Sequence, residues 1–286
     1  MENKMKLFES APVWKAYFII SLPVVLSMVV TLVYNMVDTF FVAGTQNTSL
    51  VAGVSQCTPL FTLMLALGDI FGLGGSSVIS RLFGQKDDGT ARNVSGFCFY
   101  AAIACGLVVT VVMFSFQGPI LHVLGATSDT IEYASQYYFW IALGAPVIIL
   151  SLTPSNIIRT EGLATQSMIA SISGSVLNII LDPLFIFTLG MGAGGAALAT
   201  VLGYVLSDAM LVYYILKKSR HLTVSVRHVK IQSRLAVSVF VIGIPASLTN
   251  LMQSYNVTVL NRHLISYGAK AVAAMGIAMK VNMIIM

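Results

Sequence analysis

Apolar stretches follow one another along this chain with almost nothing polar between them. They run roughly over 16–37, 51–80, 94–116, 133–152, 164–188, 195–216 and 235–260, and an eighth begins near 271. A helix needs about 20 apolar residues to cross the hydrocarbon core of a bilayer. One such run could be a buried helix of a soluble domain. Seven or eight in series leave no polar surface to solvate one, and a membrane β-barrel would alternate apolar and polar positions instead. Residues are 57% hydrophobic and only 9% charged, against about 25% charged in soluble domains. The expected class is an all-α polytopic membrane protein. The first run exceeds the apolar core of a cleaved signal peptide, and further spans follow it directly, so it reads as an uncleaved signal anchor.

Charge then orients the spans. Lys4, Lys6 and Lys15 precede the first; Arg81, Lys86 and Arg92 surround the second connection; Arg159 lies in the fourth. Lys217, Lys218, Arg220, Arg227, Lys230 and Arg234 fill the sixth, whereas the connections near 44–50, 117–130 and 189–194 contain no Lys or Arg. Cytoplasmic loops of membrane proteins carry this excess, so the amino terminus is expected in the cytoplasm, with Arg262 and Lys270 as the exceptions. The net charge of +5 thus reflects topology and not a nucleic-acid partner. Cys57, Cys98 and Cys105 lie in apolar segments without metal-ligand spacing and read as small buried hydrophobes.

The polar stretch 217–234 divides a six-span lobe, 1–216, from a segment 235–286 that opens a second lobe. Valines and leucines alternate with polar residues in this linker, which suits a chain lying on the inner interface beside anionic lipid. Beyond it the pattern restarts. In an ungapped alignment Pro23 falls on Pro245 and Val51-Ala52 on Ala273-Ala274, as in transporters built from two similar halves. The last apolar run is cut at Met286, so the chain is expected to be one lobe plus the first one to two helices of another.

Four acids fall within spans: Asp38, Asp69, Asp182 and Asp208. An intramembrane acid must be paired, protonated or turned to water, which makes each a functional candidate. Asn178 and Asp182 are four apart and share a helical face, and Pro183 disturbs the backbone ladder beside them. The expected topology puts Asp38, Asp182 and Thr200 in the outer half of the membrane, with Asp69 and Asp208 deeper. A carboxylate, an amide oxygen and a hydroxyl suit a hard cation or a shared proton; a buried Asp satisfied by a packing amide is the other reading. Asp69 lies beside a G-x-x-x-G face, Gly68 and Gly72, made for close helix packing; lining a cavity and pairing with Arg81 or an amide are equally open to it. Gly190, Gly192 and Gly195 match a dinucleotide-binding pattern, but no strand precedes them. No nucleophile elbow, metalloprotease helix or phosphate loop occurs, so neither an enzyme nor an ATP-driven pump is expected.

The stretches LPVVLSMVVTLVYNMVDTFFVAG, SSVISRLFGQKD, IIRTEGLATQSMIASISGSVLNIILDPLFIF and GAALATVLGY closely resemble the multidrug and toxic compound extrusion (MATE) family, in order along the whole chain. The resemblance implies six-helix lobes around a central cavity and exchange of H+ or Na+ for drug-like, often cationic, organic substrates. It implies a plasma-membrane location, the inner membrane in a bacterium, and no cofactor beyond the coupling ion. The family's coupling positions match Asp38, Asn178, Asp182 and Thr200, and its helix-one bend matches Pro23. Tyr137 or its neighbour Tyr138 matches a helix-four tyrosine and Asn156 a cavity amide; Asp69 and Asp208 match no family position and are candidates for the substrate cavity only as intramembrane acids. The implied partners are small organic molecules, membrane lipid and the rest of the transporter. A flippase or exporter of lipid-linked sugars has the same architecture but calls for a strongly cationic cavity; a non-transporting truncated lobe is the remaining alternative.

Overall fold

The computed structural model describes residues 12–225 and 233–285; Lys4, Lys6, Arg227 and Lys230 lie outside them. Long helices dominate: α1 (Val13–Gly44), α2 (Thr48–Gly84), α3 (Asp88–Ser115), the short α4 (Gln117–Val123), α5 (Ile131–Thr160), α6 (Ala164–Pro183), α7 (Gly192–Lys218), α8 (Ser233–Leu264) and α9 (Ala269–Ile285). Seven of them, among the described residues, are long and apolar enough to cross a bilayer. These are the seven expected spans; α4 is an addition in the third connection.

Local chemistry sets several boundaries. The Asn47 side chain accepts from the Leu50 amide at 3.1 Å to start α2, and its amide donates to the Tyr133 hydroxyl at 2.8 Å, fixing that start against α5. Asp87 starts α3 by accepting from the Thr90 amide at 3.0 Å. α6 changes at Pro183, which has no amide hydrogen to donate, and the chain continues as one π-helical turn, Leu184–Thr188. Such turns interrupt the regular ladder, and here the interruption adjoins Asp182.

α5 is the central post, packed against α2, α3 and α7. Tyr138, Ile141, Ile148, Ile149 and Ile158 on it are wholly buried. It was expected to end near 152, yet runs on to Thr160 through Pro146 and Pro154; buried in protein, neighbouring helices can satisfy the carbonyls that proline frees. The expected close-packing face of α2 is real. A Cβ on Gly68 would come within 2.6 Å of the Ile149 carbonyl oxygen, and one on Gly72 within 2.7 Å of that of Leu152. The second connection, the α5–α6 turn and the end of α7 share one end of the bundle, with Arg81, Lys86, Arg92, Arg159, Lys217, Lys218 and Arg220. Among the described residues, the end bearing α4 has Arg262 and Lys270 as its Lys and Arg residues.

Beyond α7 the chain does not lie loose. The Arg220 carbonyl accepts from Arg92 at 2.6 Å and the Val224 carbonyl from Tyr100 at 2.8 Å, while Ser95 bonds both the Thr223 carbonyl and amide. Residues 219–225 of the linker are thereby clipped to α3; residues 226–232 are outside the described part. α8 then runs antiparallel along α2, joined by Asn250 to Asp69 at 2.7 Å and by Ser254 to the Pro59 carbonyl at 2.7 Å.

Candidate functional site

α6 and α7 cross where Gly174 meets Gly203. A Cβ on either would lie within 2.8 Å of the other's carbonyl oxygen, so only hydrogen fits. One turn farther along, this approach brings Asn178 and Asp182 of α6 against Thr200 of α7. The Asn178 amide donates to Asp182 Oδ1 and to Thr200 Oγ1, each at 3.4 Å, and Thr200 donates to the Ala196 carbonyl at 3.0 Å. All three residues are buried, and Asp182 has no exposed surface. Asn178 Oδ1 and Asp182 Oδ2 accept nothing. Two buried oxygens with open lone pairs, one of them on a carboxylate, are costly unless something positive completes them. The group can collect a proton or a hard cation. Among the described residues no cluster of three His, Cys, Asp or Glu side chains forms a transition-metal site.

Asp38 reaches this group from α1, which packs mainly on α6. It comes within electrostatic reach of Asp182, Tyr34 and Tyr137. Tyr34 lies within hydrogen-bonding reach of Thr200. Of the two adjacent tyrosines on α5, Tyr137 faces the carboxylates, while Tyr138 packs into the core and donates to the Met113 carbonyl at 2.7 Å. Sequence reasoning missed Tyr34, and also Tyr204 of α7, which lies within electrostatic reach of both Tyr34 and Tyr137. Both could have been found by helical spacing, since Tyr34 is four residues before Asp38 and Tyr204 four after Thr200.

The other candidates lie apart. Asp69 is held by Asn250, the amide partner left open by the sequence, where α2 meets α8. Asn156 sits against Gly72 in the α2–α5 contact. Asp208 is buried on α7 with neither carboxylate oxygen bonded among the described residues. α1 is helical straight through Pro23, and Gly190 and Gly192 form a positive-φ turn between two helices, with no strand before it. An apolar cavity of about 270 Å³ between α2, α4 and α8, lined by Pro59, Leu63 and Ile120 among others, is separate from the acidic cluster.

The sequence model described as MatE matches residues 23–184. The chain is 33% identical, over 98% of its own length and 62% of the relative's, to "Multidrug export protein MepA" of Staphylococcus aureus strain NCTC 8325. Among solved structures it is similar to the "MATE multidrug transporter DinF-BH", with a TM-score of 0.86 and 32% identity over 92% of this chain and 59% of that one. An inward-facing "multidrug resistance MATE family transporter of the MOP superfamily" gives a TM-score of 0.83 and 31% identity, covering 89% and 58%. The chain thus spans about 60% of the length of the proteins it matches.

Proposed function

Because the chain belongs to the MATE family of multi-pass membrane transporters, we propose that it serves secondary active efflux, exporting drug-like organic compounds, often cations, in exchange for H+ or Na+. The observation that carries this reading is the buried acidic group. Asp182, Asn178 and Thr200 meet in the membrane interior with two acceptor oxygens open, and Asp38 adds a second carboxylate from a different helix. Two carboxylates near one another repel when both are ionised. A proton or cation arriving there cancels that repulsion and lets α1 draw in against α6; its departure lets α1 relax. Pro23, which removes one backbone bond from α1, is the bend about which that movement occurs. α1 also contains Ser27, Thr31, Asn35 and Thr39, each bonded to a backbone carbonyl three or four residues earlier; such bonds bend helices.

The amino terminus is assigned to the cytoplasm from the Lys and Arg asymmetry between the two ends of the bundle, and the site then lies in the outer half of the membrane. Organic cations suit the central cavity that the family implies because the intramembrane charge is acidic, which disfavours the anionic lipid-linked sugars. Efflux of a lipophilic dye cation from cells expressing the full natural chain tests the reading. Asp182→Asn is expected to cut gradient-driven efflux at least tenfold while inserting normally. Efflux that persists with both proton and sodium gradients collapsed, or an Asp182→Asn variant that pumps as well as wild type, would overturn it.

A further inference from the structure

We propose that Asp208 is an inner relay carboxylate, passing protons between the Asp38–Asp182 group and the Arg- and Lys-rich end of the bundle by way of the Tyr204 hydroxyl. The inference rests on the exchange reading above and narrows its coupling ion to H+.

The four intramembrane acids differ in what meets them. Asp69 has an amide from α8, Asp182 has Asn178, and Asp38 interacts with the cluster. Asp208 is 6% exposed, yet both its oxygens lack a hydrogen-bond partner, and no ion pair reaches it among the described residues. A helix-packing role would show as a bond to a neighbouring group, and none is made. Removing an ionised carboxylate from water without a partner is expensive, so an acid kept there needs a use that a leucine or serine would not fill.

Its position supplies one. Thr200, Tyr204 and Asp208 occupy successive turns of α7, four residues apart, so the three side chains follow one stripe over about 12 Å of helix. At the upper end Thr200 touches Asn178. In the middle, Tyr204 is partly buried with its ring against Phe61, 5.9 Å between centroids. Tyr204 lies within electrostatic reach of Asp208 on one side and of Tyr34 and Tyr137 on the other. Those two tyrosines in turn flank Asp38, and Tyr137 also flanks Asp182. The titratable groups around the stripe are therefore Tyr34 and Asp38 from α1, Tyr137 from α5, Asp182 from α6 and Tyr204 on its own helix. Arg159 of α5 is engaged instead by Ser155 and Ser167.

A phenol both donates and accepts a hydrogen bond. In the relay, a proton leaving the Asp38–Asp182 group is taken up on the Tyr137 oxygen, the proton already there moves to Tyr204, and the proton of Tyr204 passes to the Asp208 carboxylate as side-chain rotation brings each pair into bonding distance. Both tyrosines end neutral, one carboxyl has lost a proton and the other has gained it. Loss of the proton from Asp208 toward the cytoplasmic end resets the chain. Sodium cannot travel by such a hand-over, which is why the stripe selects H+.

The decisive measurement uses the full natural chain in proteoliposomes loaded with a pH dye, and counts protons released per tetraphenylphosphonium ion transported. Asp208→Asn is expected to lower that ratio at least tenfold, Asp208→Glu to restore it in part, and Tyr204→Phe to lower it by itself. Asp208→Asn is also expected to fold as well as wild type, since no bond is lost; should it not fold, Tyr204→Phe decides. A wild-type ratio in Asp208→Asn or in Tyr204→Phe, with Asp182→Asn uncoupled, would overturn the relay alone. A wild-type protein that moves sodium and no protons would overturn the relay while leaving exchange intact, and one that moves neither ion would overturn both.

Discussion

Two helices deliver side chains to the same acidic group from opposite conditions. α5 supplies Tyr137 from a span in which 72% of the most apolar stretch is buried within the protein; α1 supplies Asp38 and Tyr34 from one in which the figure is 6%. α5 is pinned by α2, α3 and α7, whereas α1 leans mainly on α6. Its Phe40, Met28 and Val33 are more than half exposed. Within this part of the transporter, the group thus has a heavily packed wall and a lightly packed one. In the proposed exchange, Asp38 on the lightly packed helix approaches or leaves Asp182 of α6, itself packed on α7, while Tyr137 keeps its place on α5.

The comparison breaks most visibly through packing. Gly68→Ala drives a Cβ into the Ile149 carbonyl of α5 and is expected to cost about 1–3 kcal/mol or more, because overpacked cores shift backbone. Gly44→Ala, at the end of α1, meets only the Phe187 ring at 3.5 Å and is expected to stay within about 0.5 kcal/mol of wild type, as exposed substitutions do. Thermal unfolding in detergent compares the two, and equal losses would mean that α1 is held as firmly as α5.

Pro23→Ala sharpens the same contrast at a functional level. Proline in a helix interior is roughly 3 kcal/mol less favourable than alanine, so the variant should be no less stable than wild type. Its efflux rate should fall roughly tenfold, equivalent to about 1.4 kcal/mol on a conformational step, with cation affinity unchanged. Unaltered rates would show that α1 does not bend there.

The smallest expected effect lies outside the membrane. Asp87 caps α3, and its bonds to Thr90 hold its carboxyl below the usual carboxylate range. A depressed pKa contributes stability above the unfolded pKa and loses it as pH falls through the folded one. Wild type should therefore lose slightly more stability on acidification into that window than Asp87→Asn, whose amide still caps. Identical acid profiles would leave the cap without a role in pH dependence.

The spans were legible because a bilayer imposes a length and a hydropathy that any reader of the chain can measure. Boundaries were less so. The apolar run of the fourth span ends near 152, and only the neighbours that surround α5 let the helix continue to Thr160. Choosing between Tyr137 and Tyr138 likewise exceeded the sequence, since adjacent helical residues point about 100° apart and only packing reveals which direction is the interior. Tyr34 and Tyr204 were within reach of spacing rules but needed a known centre from which to count.

By itself the sequence determined the membrane class, the serial helices and the shared face of Asn178 and Asp182, because each depends on residues close in the chain. The tertiary structure decided the fate of every acid. Asp69 finds its amide 181 residues away on α8, Asp182 meets Thr200 because two glycines let α6 and α7 touch, and Asp208 makes no hydrogen bond among the described residues. Helical periodicity is a local property of the backbone, whereas the partner of a buried charge is set by which helices pack together.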